Sequence, residues 1–352
     1  MTSYKRWFVA TLMVVMLPLL LVGGFNFYID PLWNFNHANK FNNIQIAFDE
    51  RQLKTNRIHF GSNDFNTLIL GSSRTTYMSQ YDLVGYRAYN YALSIMLMED
   101  YYDYVEYAKL KNGHDFDYIV LGLDFFVTNK NMKLISEISP PSYYIGKSNE
   151  FAYRYKTLLS LDVLDYSWKN YDASRRGIPQ TFDYDRRNVK TLNRVSEAQT
   201  KAQTDTSLAN YKNNIYANYE YRDVKGILSK LKSQNPNTKF IVFTTPVSRP
   251  LWDVMIAKGL MPYYERWLQD SVEVFGQVYN FNYPNSITSD PKNYYDASHV
   301  YPEVETLIAH KIINYPDPKI PEDFGILLTK DNISSNLEKF EAELSPHLNV
   351  AN

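Results

Sequence analysis

The stretch Thr67-Leu68-Ile69-Leu70-Gly71-Ser72-Ser73-Arg74-Thr75 decides the fold class of this chain. A short apolar run leads directly into a glycine, which is typical of a buried strand that ends in a tight turn. Further apolar runs lie at 87–91, 118–122, 239–245 and 278–281. Amphipathic helical patterns separate the runs, at 99–109, 221–232, 262–275 and 302–313. Apolar strands that alternate with helices predict a parallel sheet covered on both faces, and hence a doubly wound α/β core.

The rest of the 352-residue sequence is arranged around this core. We predict a helix at 44–54 in the part that precedes the core and a charged helix at 334–344 near the end. The stretch 131–221 lacks periodic apolar runs, and we interpret it as an insertion over the core. A solvated excursion without function is an equal alternative. The predicted segments are an anchor at 1–29, a connector at 30–66, the core at 67–130 and 222–315, the insertion at 131–221 and a helical tail at 316–352.

The N-terminal segment has the composition of a membrane helix. Lys5 and Arg6 precede residues 7–25, a stretch of 19 residues without a charge. As a helix this stretch is about 28 Å long, close to the thickness of a bilayer's hydrocarbon core. The basic pair predicts a cytoplasmic N-terminus, with the bulk of the chain outside the cytoplasm. A cleaved signal peptide, with Val22 and Gly24 satisfying the small-residue rule, is the alternative.

Composition excludes several classes of function. The net charge is −1, so the chain has no basic excess with which to neutralise the phosphates of a nucleic acid. Cysteine is absent, which excludes disulfides, thiolate catalysis and cysteine-ligated zinc. The absence of thiols is compatible with a periplasm-like compartment.

Only one of the six histidines occurs in a context that suggests catalysis. His299 follows Asp296 by three residues and lies just before Pro302, which can start a helix. In a turn, this spacing can return the carboxylate to the imidazole Nδ1–H, which would leave Nε2 free as a general base. An Asp-x-x-His sequence is weak evidence by itself.

Ser73 supplies the matching nucleophile. It lies where a buried strand ends and a helix is expected to begin, at the carboxyl edge of a parallel sheet, where ligand sites of such sheets are found. Gly71 lets the backbone turn sharply, and the free N–H groups of the following turn could stabilise an oxyanion. A helix N-cap is the alternative interpretation of Gly-Ser-Ser alone. Together with the Asp-x-x-His sequence, however, it forms a specific combination.

These motifs, in this order, resemble the SGNH (GDSL-like) hydrolase superfamily. The chain looks most similar to its membrane-anchored, extracytoplasmic members, which accompany membrane-bound O-acyltransferases. Among them are alginate O-acetylation proteins and the D-alanyl-lipoteichoic acid biosynthesis protein D type. The resemblance rests on the anchor, on Asp30-Pro31 and on the stretches 70–75, 122–126 and 296–299. It implies a flavodoxin-like three-layer sandwich with a central parallel sheet, in addition to the transmembrane helix.

The resemblance also assigns roles to residues. Ser73 matches the nucleophile, His299 the base and Asp296 the acid that orients the base. Two positions depart from the superfamily's pattern. The second of the superfamily's sequence motifs, its second block, supplies a glycine N–H to the oxyanion. The corresponding residues 90–95 contain no glycine, so Asn90 or the backbone N–H of Ile95 could donate the hydrogen bond instead.

The second departure concerns the third block, where the superfamily offers an asparagine side chain. Here Asp124 occupies that position, and an ionised carboxylate cannot donate a hydrogen bond to an oxyanion. We therefore hypothesise that Asp124 pairs with Arg74. Arg74 is itself an oxyanion or substrate-pocket candidate, and the further candidates are Ser72, Thr245 and Arg249.

The motifs thus predict acyl chemistry at Ser73, and the resemblance implies an extracytoplasmic O-acyltransferase or acyl-esterase that acts on an acylated small molecule or an envelope glycan. The resemblance implies an acetyl group, a bacterial cytoplasmic membrane crossed once and a membrane-bound O-acyltransferase as a partner. No metal and no organic cofactor are implied. The alternative is a non-catalytic accessory or glycan-binding protein on the same scaffold, which the altered oxyanion blocks favour. Two further motif-like stretches, 61–64 and 146–148, are interpreted as a loop and as an incomplete phosphate-loop sequence.

Overall fold

The computed structural model of the protein describes residues 3–134 and 138–348, and its central feature is a six-stranded sheet. The strands are β1 (Ile44–Gln45), β2 (Thr67–Leu70), β3 (Ala88–Asn90), β4 (Tyr118–Leu123), β5 (Tyr184–Asp185), β6 (Lys239–Thr244), β7 (Gln277–Asn280) and β8 (Ile326–Thr329). The α-helices are α1 (Ser3–Ile29), α2 (Glu50–Phe60), α3 (Asp100–Asn112), α4 (Pro141–Asn149), α5 (Tyr153–Lys156), α6 (Leu161–Arg176), α7 (Glu197–Asn210), α8 (Val224–Ser233), α9 (Arg249–Ala257), α10 (Met261–Phe275), α11 (Pro302–Ile312) and α12 (Ile333–Leu348).

The six-stranded sheet has the strand order β3-β2-β4-β6-β7-β8. Every neighbouring pair is parallel except β7 and β8, which are antiparallel. Counted along the chain, the five parallel strands take the doubly wound order 2-1-3-4-5, which changes direction between β2 and β4. In open α/β sheets, ligand sites lie at the carboxyl ends of the strands beside such a change. The α/β class and the parallel central sheet predicted from the sequence are confirmed.

The apolar runs of the sequence located the parallel strands but not every element. All five predicted strands occur within one residue of their expected bounds, and the tail helix is present as α12. Strand β8, at the antiparallel edge of the sheet, was not predicted. The helix predicted at 44–54 is correct only from residue 50 onward, because the chain first forms β1 and α2 begins only after Asp49. The Asp49 side chain caps α2 by accepting the N–H of Gln52.

The two faces of the sheet pack against different helices. Ile69, Val120 and Phe243 belong to one buried cluster that includes Ile308 of α11. Successive strand residues point to opposite faces, so the equally buried Leu70 points away from that cluster. Helix α10 packs on β7 and on α8, and α8 also packs on α3, so these three helices form one layer beside the sheet. The loops at the carboxyl ends of the strands are therefore supported by a sheet that is buried on both sides.

Two glycines on neighbouring strands shape the turn after β2. Gly71 has a φ of 154°, and Gly122 lies beside it in β4. At either position, a Cβ atom would come within 2.3 Å of Thr75 Oγ1. The two bare backbones therefore leave a slot in which the buried Thr75 packs, and this packing fixes the turn that carries Ser73.

The helix expected after Ser73 is not an α-helix. The chain forms two short 3₁₀ helices instead, Thr75–Tyr77 and Gln80–Asp82. The cause lies in the neighbouring strand, where the buried Asn90 side chain donates its Nδ2 hydrogens to the carbonyls of Thr75 at 3.0 Å and Met78 at 2.7 Å. Because these carbonyls are engaged by β3, the segment is held in tight turns.

The chain forms two compact units. The first comprises Met1–Asn63 with Pro140–Thr191, and the second comprises Asp64–Ser139 with Leu192–Asn352. The segment predicted as one insertion, 131–221, divides between them. Its helices α4 to α6 belong to the first unit, and α7 belongs to the second, which also contains the six-stranded sheet.

The first unit begins with α1, a helix of 27 residues. The mean hydropathy of its most apolar window is 2.4, and none of that window is buried. It is therefore long and apolar enough to cross a membrane. The unit has a small core of its own around Trp33, Leu53 and Tyr184. A buried ion pair ties this core to the end of α1, with Arg186 Nη2 at 2.6 Å from Asp30 Oδ2.

Candidate active site

Ser73, His299 and Asp296 form a continuous chain of contacting side chains in the second unit. Ser73 Oγ lies 2.8 Å from His299 Nε2, and His299 Nδ1 lies 2.8 Å from Asp296 Oδ2. Ser73 follows β2, and the other two residues lie between β7 and α11. With a proton on Nδ1 directed at Asp296, Nε2 can accept the hydroxyl proton of Ser73. The structure thus brings together the three residues that the sequence singled out from two distant motifs.

Asp296 is held as a carboxylate by the turn that it begins. Its Oδ1 accepts the backbone N–H of Ser298 at 2.7 Å and that of His299 at 2.9 Å. Burial raises the pKa of Asp296, but the charge and hydrogen bond of His299, together with the two backbone N–H groups, outweigh burial and lower the pKa below its ordinary value. The carboxylate therefore stays ionised at neutral pH, where it can orient and stabilise a protonated imidazole.

The loop that carries His299 is fixed at both its base and its tip. At the base, Tyr295 donates its backbone N–H to the carbonyl of His299 at 2.9 Å. At the tip, the carbonyl of Ala297 accepts both the backbone N–H and the hydroxyl of Ser248, the residue that directly precedes α9. These backbone contacts fix the loop that precedes α11, and with it the position of the imidazole.

Arg74, the residue after the candidate nucleophile, lies in the interior beneath it. Its Nη1 is 3.2 Å from Asp124 Oδ1 and donates to Thr245 Oγ1 at 3.1 Å, while Nη2 donates to the hydroxyl of Tyr211 at 2.7 Å. The guanidinium also lies over the ring of Phe126, 5.0 Å from its centroid. The hypothesis that Asp124 pairs with Arg74 agrees with this geometry. The pair joins the turn after β2 to the end of β4.

The charge of Arg74 is well compensated. Burial acts to lower the pKa of Arg74, but Tyr211 and Asp124 outweigh it and hold that pKa above its ordinary value. Asp124 also accepts the hydroxyl of Thr245 at 2.6 Å through Oδ1. Its other oxygen, Oδ2, has no hydrogen-bond partner in the described part of the chain. Asp124 therefore acts here as the counter-ion of a buried cation.

Residues 90–95, which correspond to the second block, contribute in two ways. The side chain of Asn90 is occupied by the carbonyls of Thr75 and Met78, so its role is to hold the turn after Ser73. Ile95, by contrast, lines the same cleft as Ser73. Its φ is 53°, a value that β-branched residues rarely adopt. Such backbone strain is found most often at functional sites.

Three other residues that were predicted to lie in the pocket, Ser72, Thr245 and Arg249, are near the site but do not line its cleft. Ser72 is buried, and its hydroxyl accepts the N–H of Arg74 at 3.3 Å, which supports the turn. Thr245 is buried in the network of Arg74 and Asp124. Arg249 forms an ion pair with Asp253 at 3.0 Å and lines a smaller, neighbouring cavity of about 240 Å³. None of the three is among the described residues that line the cleft at Ser73.

A cleft of about 510 Å³ opens at Ser73 and His299. Aromatic and aliphatic side chains dominate its surface, together with neutral polar groups from α7. Among the described residues that line it there is no lysine or arginine, and Asp296 is the only acid. The cleft therefore suits a largely uncharged ligand. The lining residues besides the triad are Ile95, Phe126, Leu134, Ala202, Gln203, Thr206, Ser207, Asn210, Tyr211, Ile215, Tyr295 and Ser298.

The sequence did not single out α7 as one wall of this cleft. Helix α7 starts with a capping box formed by Ser196 and Gln199, and none of its residues is buried. Gln203 ties it to the loop that carries His299 by donating to the hydroxyl of Tyr295 at 2.8 Å. A helix without a buried face has no apolar periodicity, so the only signal in the sequence was its capping box.

A buried acid, Glu305 of α11, was also missed. It is fully buried, and neither carboxyl oxygen has a hydrogen-bond partner in the described part of the chain. Burial, followed by the charge of Asp124, raises the pKa of Glu305 well above its ordinary value. The neutral form is therefore favoured, which leaves Asp124 as the anionic partner of Arg74.

The arrangement can perform nucleophilic acyl chemistry, because a hydroxyl, a base and an orienting carboxylate are aligned at the edge of an open cleft. Among the residues that the structure describes, no group of three or more acidic or histidine side chains is arranged to hold a metal ion. Neither a known family model nor a curated protein matches this chain.

Proposed function

We propose that the protein is an extracytoplasmic serine acyltransferase or acyl-esterase of the SGNH type, acting on an envelope polysaccharide or a related glycan. The observation that carries the proposal is the alignment of Ser73 Oγ, His299 Nε2 and Asp296 Oδ2, with both contacts at 2.8 Å. This alignment is the one that activates a serine hydroxyl in unrelated hydrolases.

In the first half of the reaction, Ser73 Oγ attacks the carbonyl carbon of an acyl donor, and His299 Nε2 takes the hydroxyl proton. Collapse of the tetrahedral intermediate breaks the bond to the donor's oxygen, which leaves with the proton from His299. The acyl group is then an ester of Ser73. In the second half, His299 takes a proton from a glycan hydroxyl or from water, whose oxygen attacks the ester. Ser73 leaves as the alcohol and regains a proton from His299.

The developing oxyanion needs a hydrogen-bond donor, and the backbone N–H of Ile95 is our candidate. Ile95 lines the cleft, and its φ of 53° is backbone strain of the kind that clusters at functional sites. Pairing with Arg74 makes Asp124 less repulsive toward the oxyanion than an isolated carboxylate would be.

The lining of the cleft supports an uncharged acyl group. An aminoacyl group carries an ammonium, which would be expected to meet a dedicated carboxylate, whereas Asp296 is already engaged by His299. A neutral group such as acetyl fits a wall that contains Phe126 and Ile215. Tyr211, Tyr295 and the neutral amides of α7 offer the aromatic faces and hydrogen bonds that suit a sugar.

The location that we propose follows from α1. Lys5 and Arg6 precede its apolar stretch, which favours a single span in a bacterial cytoplasmic membrane with a cytoplasmic N-terminus. The catalytic unit would then work on the extracytoplasmic side. A membrane-bound O-acyltransferase is the partner we propose to deliver the acyl group to Ser73.

The direct test uses the full-length protein in detergent and a serine-directed fluorophosphonate probe. We expect one covalent adduct on the wild type, none on Ser73→Ala and an unchanged adduct on Ser79→Ala, a matched control in the same segment. Loss of the base in His299→Ala should slow labelling by about 10²-fold or more. Equal labelling of the wild type and Ser73→Ala would refute the proposed nucleophile. Acetate release from p-nitrophenyl acetate by the same variants then measures turnover.

The second candidate function is a non-catalytic accessory or glycan-binding protein. The observation that favours it is Asp124, a carboxylate where the SGNH pattern has an asparagine that donates to the oxyanion. In that case the wild type would bind a glycan ligand in the cleft but form no adduct with the probe. Adduct formation that is lost in Ser73→Ala rules this candidate out.

A further inference from the structure

The end of α1 is docked on its own unit, whereas the rest of the helix is exposed. Residues 3–21 are exposed throughout, and contacts begin at Val22. Asn26 is fully buried and makes the central contact. Its side chain donates to the carbonyls of Leu158 at 2.9 Å and Ser160 at 3.2 Å and accepts the hydroxyl of Ser167 at 2.8 Å. These bonds hold the segment before α6, and the first half of α6, against α1 at the height of Asn26, near the end of the helix.

Aromatic and glycine contacts define the same level. Phe25 contacts the rings of Trp168 and Tyr171, with centroids 6.3 and 5.9 Å away. Gly23 lies directly against Leu159, since a Cβ built on this glycine would be 3.5 Å from the leucine Cδ2. The segment 158–171 is therefore attached at residues 23–26 of α1, where the apolar stretch 7–25 is followed by the polar Asn26.

Large apolar side chains are exposed at this level. We define the collar as five exposed side chains on the end of α1 and on the segment 155–168, part of which packs against α1. A cluster of exposed apolar side chains marks a surface that is covered when the protein functions. Its members, with their exposed fractions, are Phe27 (48%), Tyr155 (54%), Leu159 (53%), Leu161 (72%) and Trp168 (61%).

We propose that the collar lies in the interfacial layer of the lipid bilayer that α1 crosses, so that the first unit rests in the membrane surface. The inference depends on the membrane span proposed above for α1. The apolar stretch 7–25 is about 28 Å long as a helix and is followed by the polar Asn26, so its end at Phe25 comes at the boundary of the hydrocarbon core. Side chains attached beside residues 23–26 then meet the boundary between acyl chains and headgroups.

The composition of the collar fits lipid rather than water. Tyrosine and tryptophan are enriched at this depth because their rings are apolar and their polar atoms reach the headgroups. Leu161 and Trp168 lie at positions i and i+7 of α6, with the half-buried Leu164 between them, so they form one apolar stripe. Cationic groups lie close by, since Arg154 is stacked over Tyr155 at 4.9 Å and Lys156 is exposed. These cations suit anionic headgroups.

The absence of native cysteine allows the depth of single sites to be measured in the full-length protein. Leu161→Cys and Trp168→Cys report on the collar. Val14→Cys reports on the middle of α1, where the side chain is exposed. Leu110→Cys on α3 is the matched control, because Leu110 (74% exposed) and Leu161 (72% exposed) are exposed to a similar extent. Each variant carries an environment-sensitive fluorophore and is reconstituted into phosphatidylcholine–phosphatidylglycerol vesicles that contain a nitroxide either near the glycerol backbone or near the bilayer centre.

We expect the two collar labels to be quenched severalfold more by the shallow nitroxide than the Leu110 label, and the Val14 label to be quenched most by the deep nitroxide. Quenching at Val14 without quenching at Leu161 and Trp168 would overturn the collar while leaving the span intact. Equal shallow quenching at Leu110 and the collar would also overturn it, since adsorption would then be unspecific. No quenching at Val14 by either lipid would refute the span itself, and the collar with it.

Discussion

Arg74 and Asp124 are in contact in the interior, with Nη1 of the guanidinium 3.2 Å from Oδ1 of the carboxylate. Both side chains are almost completely buried, at 3% and 0% exposure. Arg74 directly follows Ser73, and Asp124 directly follows β4, so the pair joins the ends of the two strands between which the sheet changes direction. The stability of the candidate active site therefore depends on an ion pair as well as on apolar packing.

This pairing predicts strong coupling between the two substitutions Arg74→Leu and Asp124→Ala. Removal of one partner leaves a buried charge uncompensated, which costs about 3–5 kcal/mol. Removal of both should cost clearly less than the sum of the single effects. Urea unfolding of the full-length protein in detergent, followed by the fluorescence of the buried Trp252 and Trp267, measures these free energies. Strictly additive losses would mean that the two side chains do not interact.

A second prediction concerns Asp124→Asn, which restores the asparagine of the SGNH pattern. Because Oδ1 of Asp124 is already engaged by Arg74 and Thr245, we expect the amide to lower the unfolding free energy and to give no gain in hydrolysis. The kcat/KM for p-nitrophenyl acetate measures the effect. Asp253→Asn, which removes only the partner of Arg249, is the matched control and should behave as the wild type. A faster Asp124→Asn enzyme would instead indicate that position 124 contacts the oxyanion.

The slot between Gly71 and Gly122 predicts that Thr75→Ala compensates to different degrees for alanine at the two glycine positions. Either glycine replaced by alanine should destabilise the protein by about 1–3 kcal/mol, because the new Cβ meets Thr75. Thr75→Ala removes the hydroxyl that would lie 2.2 Å from the Cβ at position 122, so it should partly rescue Gly122→Ala. Rescue of Gly71→Ala should be weaker, since alanine there also has to adopt a φ of 154°. Equal rescue at both positions in thermal unfolding would contradict this account.

The sequence predicted those parts of the fold that leave a periodic or compositional signal. The run before Gly71 and the apolar stretch before Asn26 both gave correct elements, because burial in a sheet and a membrane-compatible helix each require continuous apolar residues. The contact of Ser73 with His299 was also anticipated, since both motifs follow parallel strands, whose carboxyl ends share one edge of the sheet.

What could not be predicted depends on contacts made far along the chain. The 3₁₀ turns after Ser73 result from the side chain of Asn90, which no local propensity reveals. Tyr211 binds Arg74, yet it is one of 31 tyrosines and occurs in no distinctive motif. Helix α7 forms a wall of the cleft without burying a residue, so it lacks the pattern by which helices are recognised.

The last prediction concerns Lys54 in the first unit. Lys54 is completely buried beside Tyr184, and burial lowers its pKa to about 7, although Glu50 acts in the opposite direction. The ordinary pKa of this lysine is 10.5. Between pH 7 and 10.5 the unfolded chain therefore binds a proton that the folded chain does not, so stability rises with pH by up to about 1.4 kcal/mol per pH unit. Below pH 7 both states are protonated, and the contribution of Lys54 no longer changes.

Lys54→Met should remove this rise, because methionine fills a similar volume without a titratable group. The measurement is the urea midpoint between pH 7 and 9, followed by the fluorescence of the buried Trp33, for the wild type, Lys54→Met and the exposed control Lys40→Met. We expect parallel slopes for the wild type and Lys40→Met and a flatter slope for Lys54→Met. The same slope in all three proteins would show that Lys54 keeps its proton in the folded state, and its burial would then require a compensating charge beyond Glu50.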